Sequence, residues 1–402
     1  MRKMAEMKSI NKSFILLVFI SIFNFLHAGL IDFYKKGTIK LEASPDFGKG
    51  TDWETLFYDT NKRLVAAPDG SLFVSNGRQH NIYKFSPTGK FLSKFGRKGQ
   101  GPADLYQPGV LSILDNRFLV IAERATSRRI SLFDLSGKYI KVLKTNHSVF
   151  KPVALKEKKV AYFTYKHGAE KNSSQRTRTT VVIIKDTHTG NETVVKSIKI
   201  PDKGMIMVQK SVAIMVKNNA GEVYLARTKE GNLLVGVSNT PEINIYSPMG
   251  KLLHTFHLEM KPLPVTGEYI RKYKDNLISH MEGEDGSRPS SKWMINKMKT
   301  FSFENLFLEH LPYYREILVD SEGNILVFKW TGCIGDCVEI FQVYSPAGKY
   351  ICETKIDEGL FDFEIDTNIK NIVFTSKGIF GLFQLKNSDD VSLRLVKVNV
   401  NR

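Results

Sequence analysis

The chain has 402 residues, is 42% hydrophobic and 25% charged, and carries a formal net charge of +17. This composition excludes a chain disordered throughout and has room for one large all-β domain or two medium ones. The positive charge favours anionic partners such as acidic polysaccharide, anionic lipid or nucleic acid.

The N-terminus stands apart from the rest. Arg2, Lys3, Lys8 and Lys12 precede an apolar run, Ser13 to Phe25, which ends at Leu26-His27-Ala28. A basic stretch, an apolar stretch and a small residue form the layout of a secretory signal peptide. Residues 1–28 are read as such a signal, with an uncleaved N-terminal anchor as the alternative. The apolar run is short for a full membrane span and is broken by Asn24. No later segment is apolar for long enough to cross. The expected location is therefore exported, periplasmic or extracellular, and export argues against nucleic acid as a partner. Loss of these residues removes four basic groups and Glu6, leaving +14.

Residues 29–61 form an N-terminal segment containing one strand-like run, "TIKLEA", near 38–43. From residue 62 onward the chain repeats itself. The first unit holds "DGSLFVSN" and "NIYKFSPTGKFLSKF", Asp69 to Phe95. The second holds "DNRFLVIAE" and "RISLFDLSGKYIKVL", Asp115 to Leu143. Clear copies recur over Glu230 to Phe256 and over Ser321 to Thr354. Weaker copies occupy Lys159 to Ile198 and Asn371 to Val400. Alternating Val, Ile, Phe and Tyr mark half-buried strands, and Gly or Asn marks the turns between them. A strand also precedes each first turn: "RLVAAP", "VLSIL", "PVAL", "EVYLAR", "REILVD" and "FDFEID".

Six units of four strands predict an all-β fold, a six-bladed β-propeller of four-stranded antiparallel blades over 62–402. Ring closure can borrow a strand from the other terminus. Thr38 to Ala43 is the candidate, although the last unit already offers four runs of its own. Between units four and five, "GEYIRKYKDNLISHM" places Ile270, Tyr273, Leu277 and Met281 on one helical stripe. "SSKWMINKMK" follows, with a Ser cap and an apolar side containing Trp293, Met294 and Met298. This predicts a short helical insertion over 266–311. It is either a lid or docking surface, or packing that plugs the channel. Plugging is the simpler reading, because apolar stripes usually bury themselves.

Phe95 to Ile140, "FGRKGQGPADLYQPGVLSILDNRFLVIAERATSRRISLFDLSGKYI", resembles the NHL-like six-bladed β-propellers, especially an exported bacterial group. "LPYYREILVDSEGNILVF", Leu311 to Phe328, resembles a later unit of the same family. Glu123 departs from the pattern, where Asp is commoner, and the third and sixth units lack its turn signature. The resemblance implies an architecture and a compartment, and no single activity.

Antiparallel blades put the tight turns on one face and the long connections on the other. Binding usually sits on long loops held by a rigid scaffold. Arg97, Lys98, Arg124, Arg128, Arg129, Arg176 and Arg178 fall on the predicted long-loop face, with Trp330 at a strand end beside it. Guanidinium forks suit carboxylate or phosphate groups, so these residues are the candidate ligand-binding set. Solvated charged loops are the plainer alternative.

Chemistry-bearing patterns are sparse. "GRKGQGP" is followed by Pro102 and then a strand, whereas phosphate-cradling loops open a helix. His254 and His257 lie three apart on a strand and point to opposite faces. Asp362, Glu364 and Asp366 alternate onto one face and form the best acidic cluster for a Ca or Zn site. Cys333 and Cys337 are close enough in sequence for a small disulfide loop, which an oxidising compartment would allow. No catalytic set is assigned and no cofactor is expected. The leading expectation is a non-catalytic exported propeller that presents its long-loop face to a protein, peptide or glycan partner, anionic in some part. The rival is a metal-dependent hydrolase of lactonase or esterase type, or a lyase.

Overall fold

The structure is a computed structural model that describes residues 29–44, 47–48, 64–123, 127–168, 176–202, 205–209, 212–215, 221–283, 289–332, 338–357, 363–364, 372–375, 378–385 and 393–400. Its repeating element is a hairpin with a shared turn chemistry. Ser86, Ser247 and Ser345 each offer Oγ to the backbone N–H four residues on, at Lys90, Lys251 and Lys349. The glycine between them, Gly89, Gly250 or Gly348, takes φ of 82°, 83° or 80°. Only glycine adopts that left-handed conformation without cost, so the Ser-Pro-x-Gly-Lys spelling specifies the turn. In the second unit Asp134 does the same work, its Oδ1 accepting from the amides of Ser136 and Lys138.

These hairpins build four-stranded antiparallel sheets paired in chain order. Blade 1 contains Leu64–Ala66, Leu72–Asn76, Asn81–Phe85 and Phe91–Phe95. Blade 2 contains Leu111–Leu114, Phe118–Ala122, Arg129–Asp134 and Tyr139–Lys144. Blade 3 contains Phe150–Ala154, Lys159–Gly168, Arg176–Asp186 and Glu192–Asp202. Blade 4 contains Val223–Arg227, Leu233–Val237, Glu242–Tyr246 and Leu252–His257. Blade 5 contains Tyr314–Val319, Ile325–Lys329, Glu339–Tyr344 and Tyr350–Asp357. The first strands of successive blades lie side by side around a central channel.

The sixth blade departs from the sequence expectation. Among the described residues, the run "FDFEID" contributes Phe363–Glu364, which pairs with Gln384 and Leu385 at the end of Gly378–Leu385. The inner strand is Ile372–Thr375, followed by Gly378–Leu385 and Leu393–Val400. The outer strand is Thr38–Ala43, antiparallel to the last strand with Leu41 opposite Val400. The same strand runs parallel to the outer strand of blade 5, with Thr38 opposite Lys355. One N-terminal strand therefore stitches blades 5 and 6 together and closes the ring.

Apolar cores lie between blades, where each sheet face meets its neighbour. Phe73, Ile82, Leu119 and Phe133 fill the space between blades 1 and 2. Leu326, Phe328, Phe341 and Ile379 fill that between blades 5 and 6. Six such cores follow one another round the ring among the described residues.

The insertion contains helix α2 (Gly267–Glu282) and helix α3 (Lys292–Thr300), after a short N-terminal helix α1 (Leu30–Tyr34). Thr266 caps α2 by accepting from the Tyr269 amide at 3.1 Å, and Gly283 ends it at φ 81°. Met281, Ile295, Met298, Phe303 and Phe307 form a separate core within the insertion. The predicted stripe buries itself on the insertion's own aromatic residues. Trp293 is 46% exposed, and Ile295 takes the inward position expected for it.

Candidate functional site

The glycine-rich connector between blades 1 and 2 is a pinned loop. Gly96 has φ of 86°, and a Cβ there would stand 2.5 Å from Leu105 Cδ1. Leu105 is fully buried in the core between the blades. Asp104 folds the intervening residues by accepting from Gly101 N at 2.9 Å and from Arg97 Nε at 2.7 Å. These bonds, Arg97 foremost, hold the Asp104 carboxyl below its ordinary range. Arg97 is thus committed to its own loop, although mostly exposed. Lys98 is exposed beside it.

Arg129 is an internal brace. Its Nε lies 3.4 Å from the buried carboxylate of Glu123. Glu123 also accepts from Ser131 Oγ at 2.6 Å and from Tyr106 N at 3.1 Å. Its longer arm lets one carboxylate tie blade 2 to the connector. Arg128 is exposed, with φ of 51°. Arg124 lies outside the described residues.

Blade 3 extends beyond the others on the long-loop side, with strands of ten and eleven residues at Lys159–Gly168 and Arg176–Asp186. Arg176 pairs through its backbone with Asp202 in this arm. The Arg178 guanidinium lies 4.5 Å from the Tyr165 ring centroid, a cation–π contact. Burial raises the Tyr165 hydroxyl against the opposing pull of Arg178. Trp330 is half-buried, and its backbone N–H donates to Tyr313 O at 3.2 Å. The structure therefore does not gather the predicted arginines and Trp330 into one cluster. Arg97, Arg129, Arg178 and Trp330 each hold a separate local contact.

The remaining candidates divide in the same way. Cys333, Cys337, Asp362 and Asp366 lie outside the described residues, and Glu364 sits in the two-residue strand given above. Cys352 is a half-buried free thiol, pushed up by burial. His254 reaches Ala347 O and His257 reaches Glu242, so the two rings diverge. Among the described residues no three His, Cys, Asp or Glu side chains meet as metal ligands.

The channel is where charged side chains converge. A cavity of about 400 Å³ is lined by Val65, Ser112, Lys151, Leu225, Arg227 and Glu316, among others. Its walls are the inner strands of blades 1 to 5, with no insertion residue among them. Two backbone irregularities border it. Register shifts between Phe150 and Val153 in blade 3 and between Tyr314 and Glu316 in blade 5. Such bulges re-aim side chains, and Pro152 is tolerated in one because it has no N–H to give. Lys151, at φ 44°, places Nζ 3.9 Å from the Tyr224 ring centroid and 3.4 Å from Val223 O. Glu316 is buried on the same cavity.

Arg227 ends the inner strand of blade 4 and lines both this cavity and a second one of about 440 Å³ toward the tight turns. Its Nη1 donates to Ile113 O at 3.0 Å. Burial pushes the guanidinium pKa down, against Asp115, which raises it. Lys229, Asn116, Asp320 and Ser321 lie around the second cavity. Neither cation stands out in the sequence, where Arg227 closes the apolar run "EVYLAR" and Lys151 precedes "PVAL".

Residues 59–226 match a family model described as a 6-bladed β-propeller. No curated protein matches the chain. A Bacteroides fragilis protein inferred to be exported is 10% identical, with a TM-score of 0.49, covering 91% of this chain and 99% of its own. A member of the DUF4221 family from Bacteroides vulgatus gives the same identity, TM-score and coverage. The calcium-binding protein regucalcin of Agrobacterium tumefaciens is 9% identical, with a TM-score of 0.40, covering 90% of this chain and 97% of its own.

Proposed function

Taking the chain as a six-bladed β-propeller, we propose that it is an exported, non-catalytic binding module. It holds an anionic group of a protein, peptide or glycan partner in the channel, entered from the long-loop face. The observation that carries this reading is Arg227. Its one hydrogen bond among the described residues goes to Ile113 O, which leaves guanidinium donors for a ligand in the cavities it lines. A half-buried guanidinium binds carboxylate or phosphate more strongly than one in water, because less solvent competes for its donors. Lys151 adds a second cation from the neighbouring blade. Glu316 favours a partner that brings a hydrogen-bond donor beside its anionic group. Rigid cores between the blades keep these residues in place, so little ordering is required on binding.

The test is fluorescence anisotropy of the purified protein with a labelled oligoglutamate peptide and a labelled heparin oligosaccharide. Binding of one probe is expected, weakened by salt, unaffected by EDTA and reduced about tenfold or more by Arg227→Ala. Equal binding by the variant overturns the channel assignment. Chelator-sensitive turnover of a lactone or ester by the purified protein would support the metal-dependent hydrolase or lyase instead.

A further inference from the structure

We propose that a signal peptidase cuts the bond between Ala28 and Gly29, and that the ammonium group released on Gly29 pairs with Glu322. Removal of the leader would then fasten the N-terminal segment that closes the ring. This rests on the export reading and makes no use of the channel. The hydrolysis consumes one water, leaves a carboxylate on Ala28 and frees a protonated amine on Gly29.

Glu322 stands on the tight turn at the head of blade 5, where its own N–H donates to Asp320 Oδ1 at 2.9 Å. Its Oε1 accepts from Leu30 N at 2.9 Å. A Cβ built on Gly29 would lie 3.1 Å from Glu322 Oε2 and 3.4 Å from Oε1. The Gly29 nitrogen shares that Cα and lies about 2.5 Å from the Cβ position, which puts the new charge within about 6 Å of the carboxylate. In the uncut chain that nitrogen is a neutral amide. Among the described residues no Lys or Arg pairs with Glu322. The glycine is suited to the site by space, since its φ of −66° is open to any residue.

The chain is anchored immediately after this point. Phe33 and Tyr34 are buried in the core between blades 5 and 6. Thr354 Oγ1 donates to Tyr34 O at 2.8 Å, and Lys355 N donates to Gly37 O at 3.1 Å. The ring-closing strand starts at Thr38. The proposed cut therefore falls at the boundary between a signal-like sequence and an anchored segment. An ion pair there adds a fixed charge contact to the start of that anchor.

The full chain is exported from a bacterial host, purified, and analysed by intact mass and N-terminal sequencing. The expected mature chain begins at Gly29. Thermal unfolding then compares the mature protein with Glu322→Gln, which keeps an oxygen to accept from Leu30 N and removes the charge. The variant is expected to melt at a lower temperature, and the gap should close at about 1 M salt, where surface ion pairs are screened. A mature chain that starts elsewhere or retains the leader overturns the proposal. So does a Gly29 start with equal melting of the two proteins. Glu322→Gln should bind the acidic probes as the parent protein does, so failure here is distinguishable from failure of the channel reading.

Discussion

The Tyr34 hydroxyl donates to Asp320 Oδ2 across 3.1 Å, although 286 residues separate the two. Both groups are buried, and burial raises the pKa of each. Asp320 also accepts from Asn324 Nδ2 at 2.8 Å and from the amides of Glu322 and Asn324 at 2.9 Å. A turn-forming carboxylate in blade 5 therefore also holds the N-terminal helix. Tyr34→Phe should lower stability by about 1–2 kcal/mol, the cost of leaving one buried acceptor short of a donor. Denaturant unfolding measures this, and an unchanged midpoint would remove the bond from the account of ring closure.

The Glu123–Arg129 pair makes a sharper prediction. Arg129→Met leaves a buried carboxylate without its cation, at a cost of about 3–5 kcal/mol. Glu123→Gln in the same chain should recover part of the loss, because no buried charge then lacks a partner. A double-mutant cycle by chemical denaturation reads the coupling. Additive single effects would show that the two side chains act separately.

In blade 3, Lys159 pairs with Asp186, and that hydrogen bond is the largest cause holding the Asp186 carboxyl far below its ordinary value. The amides of Thr189 and His188 add to it. A depressed carboxyl pKa means that the folded state binds fewer protons than the unfolded one. The resulting stability is complete above the ordinary Asp pKa of about 3.9 and is lost as pH falls toward the folded value. Lys159→Met should therefore be less stable than the parent at pH 7, with the difference shrinking on acidification below about pH 4. Urea midpoints across that range test the sign.

Gly96→Ala tests the connector. The substitution combines a left-handed φ with a Cβ 2.5 Å from a buried Leu105 side chain. A loss of about 1–3 kcal/mol is expected. Leu105→Ala on the Gly96→Ala background should relieve the clash while opening a cavity, so the two changes will be non-additive in calorimetric unfolding.

The blades were legible wherever local chemistry spelled a turn. Ser86, Ser247 and Ser345 each sit four residues before a Lys whose amide they accept, and that spacing is visible in the chain. Blade 6 was not legible in the same way. Its outer strand is Thr38–Ala43, the candidate named from the sequence, but no local pattern near residue 400 chooses it over a fourth run of the last unit itself. The acidic alternation in "FDFEID" looked like an inner strand, yet Ile372–Thr375 takes that place with apolar Ile372 and Phe374 in the core.

The candidate site was less legible than the fold. Arg97 and Arg129 attracted attention as loop cations, but Asp104 meets Arg97 only in the folded connector, and Glu123 meets Arg129 only where the second and third strands of blade 2 pair. Arg227 and Lys151 were hidden because they end or interrupt strands that otherwise read as plain apolar walls. Lys151 reaches the cavity through a bulge, which periodicity does not reveal.

The stitched N-terminal strand also imposes an order of events. Thr38–Ala43 can dock on blade 5 only after Tyr350–Asp357 has formed, and gains its second neighbour only with Leu393–Val400. The contact that seals the molecule thus joins its most distant segments, whose meeting carries the largest loop-closure entropy in the chain. Until the final strand arrives, the first has one unpaired edge, and sealing becomes the slow, chain-spanning step of assembly.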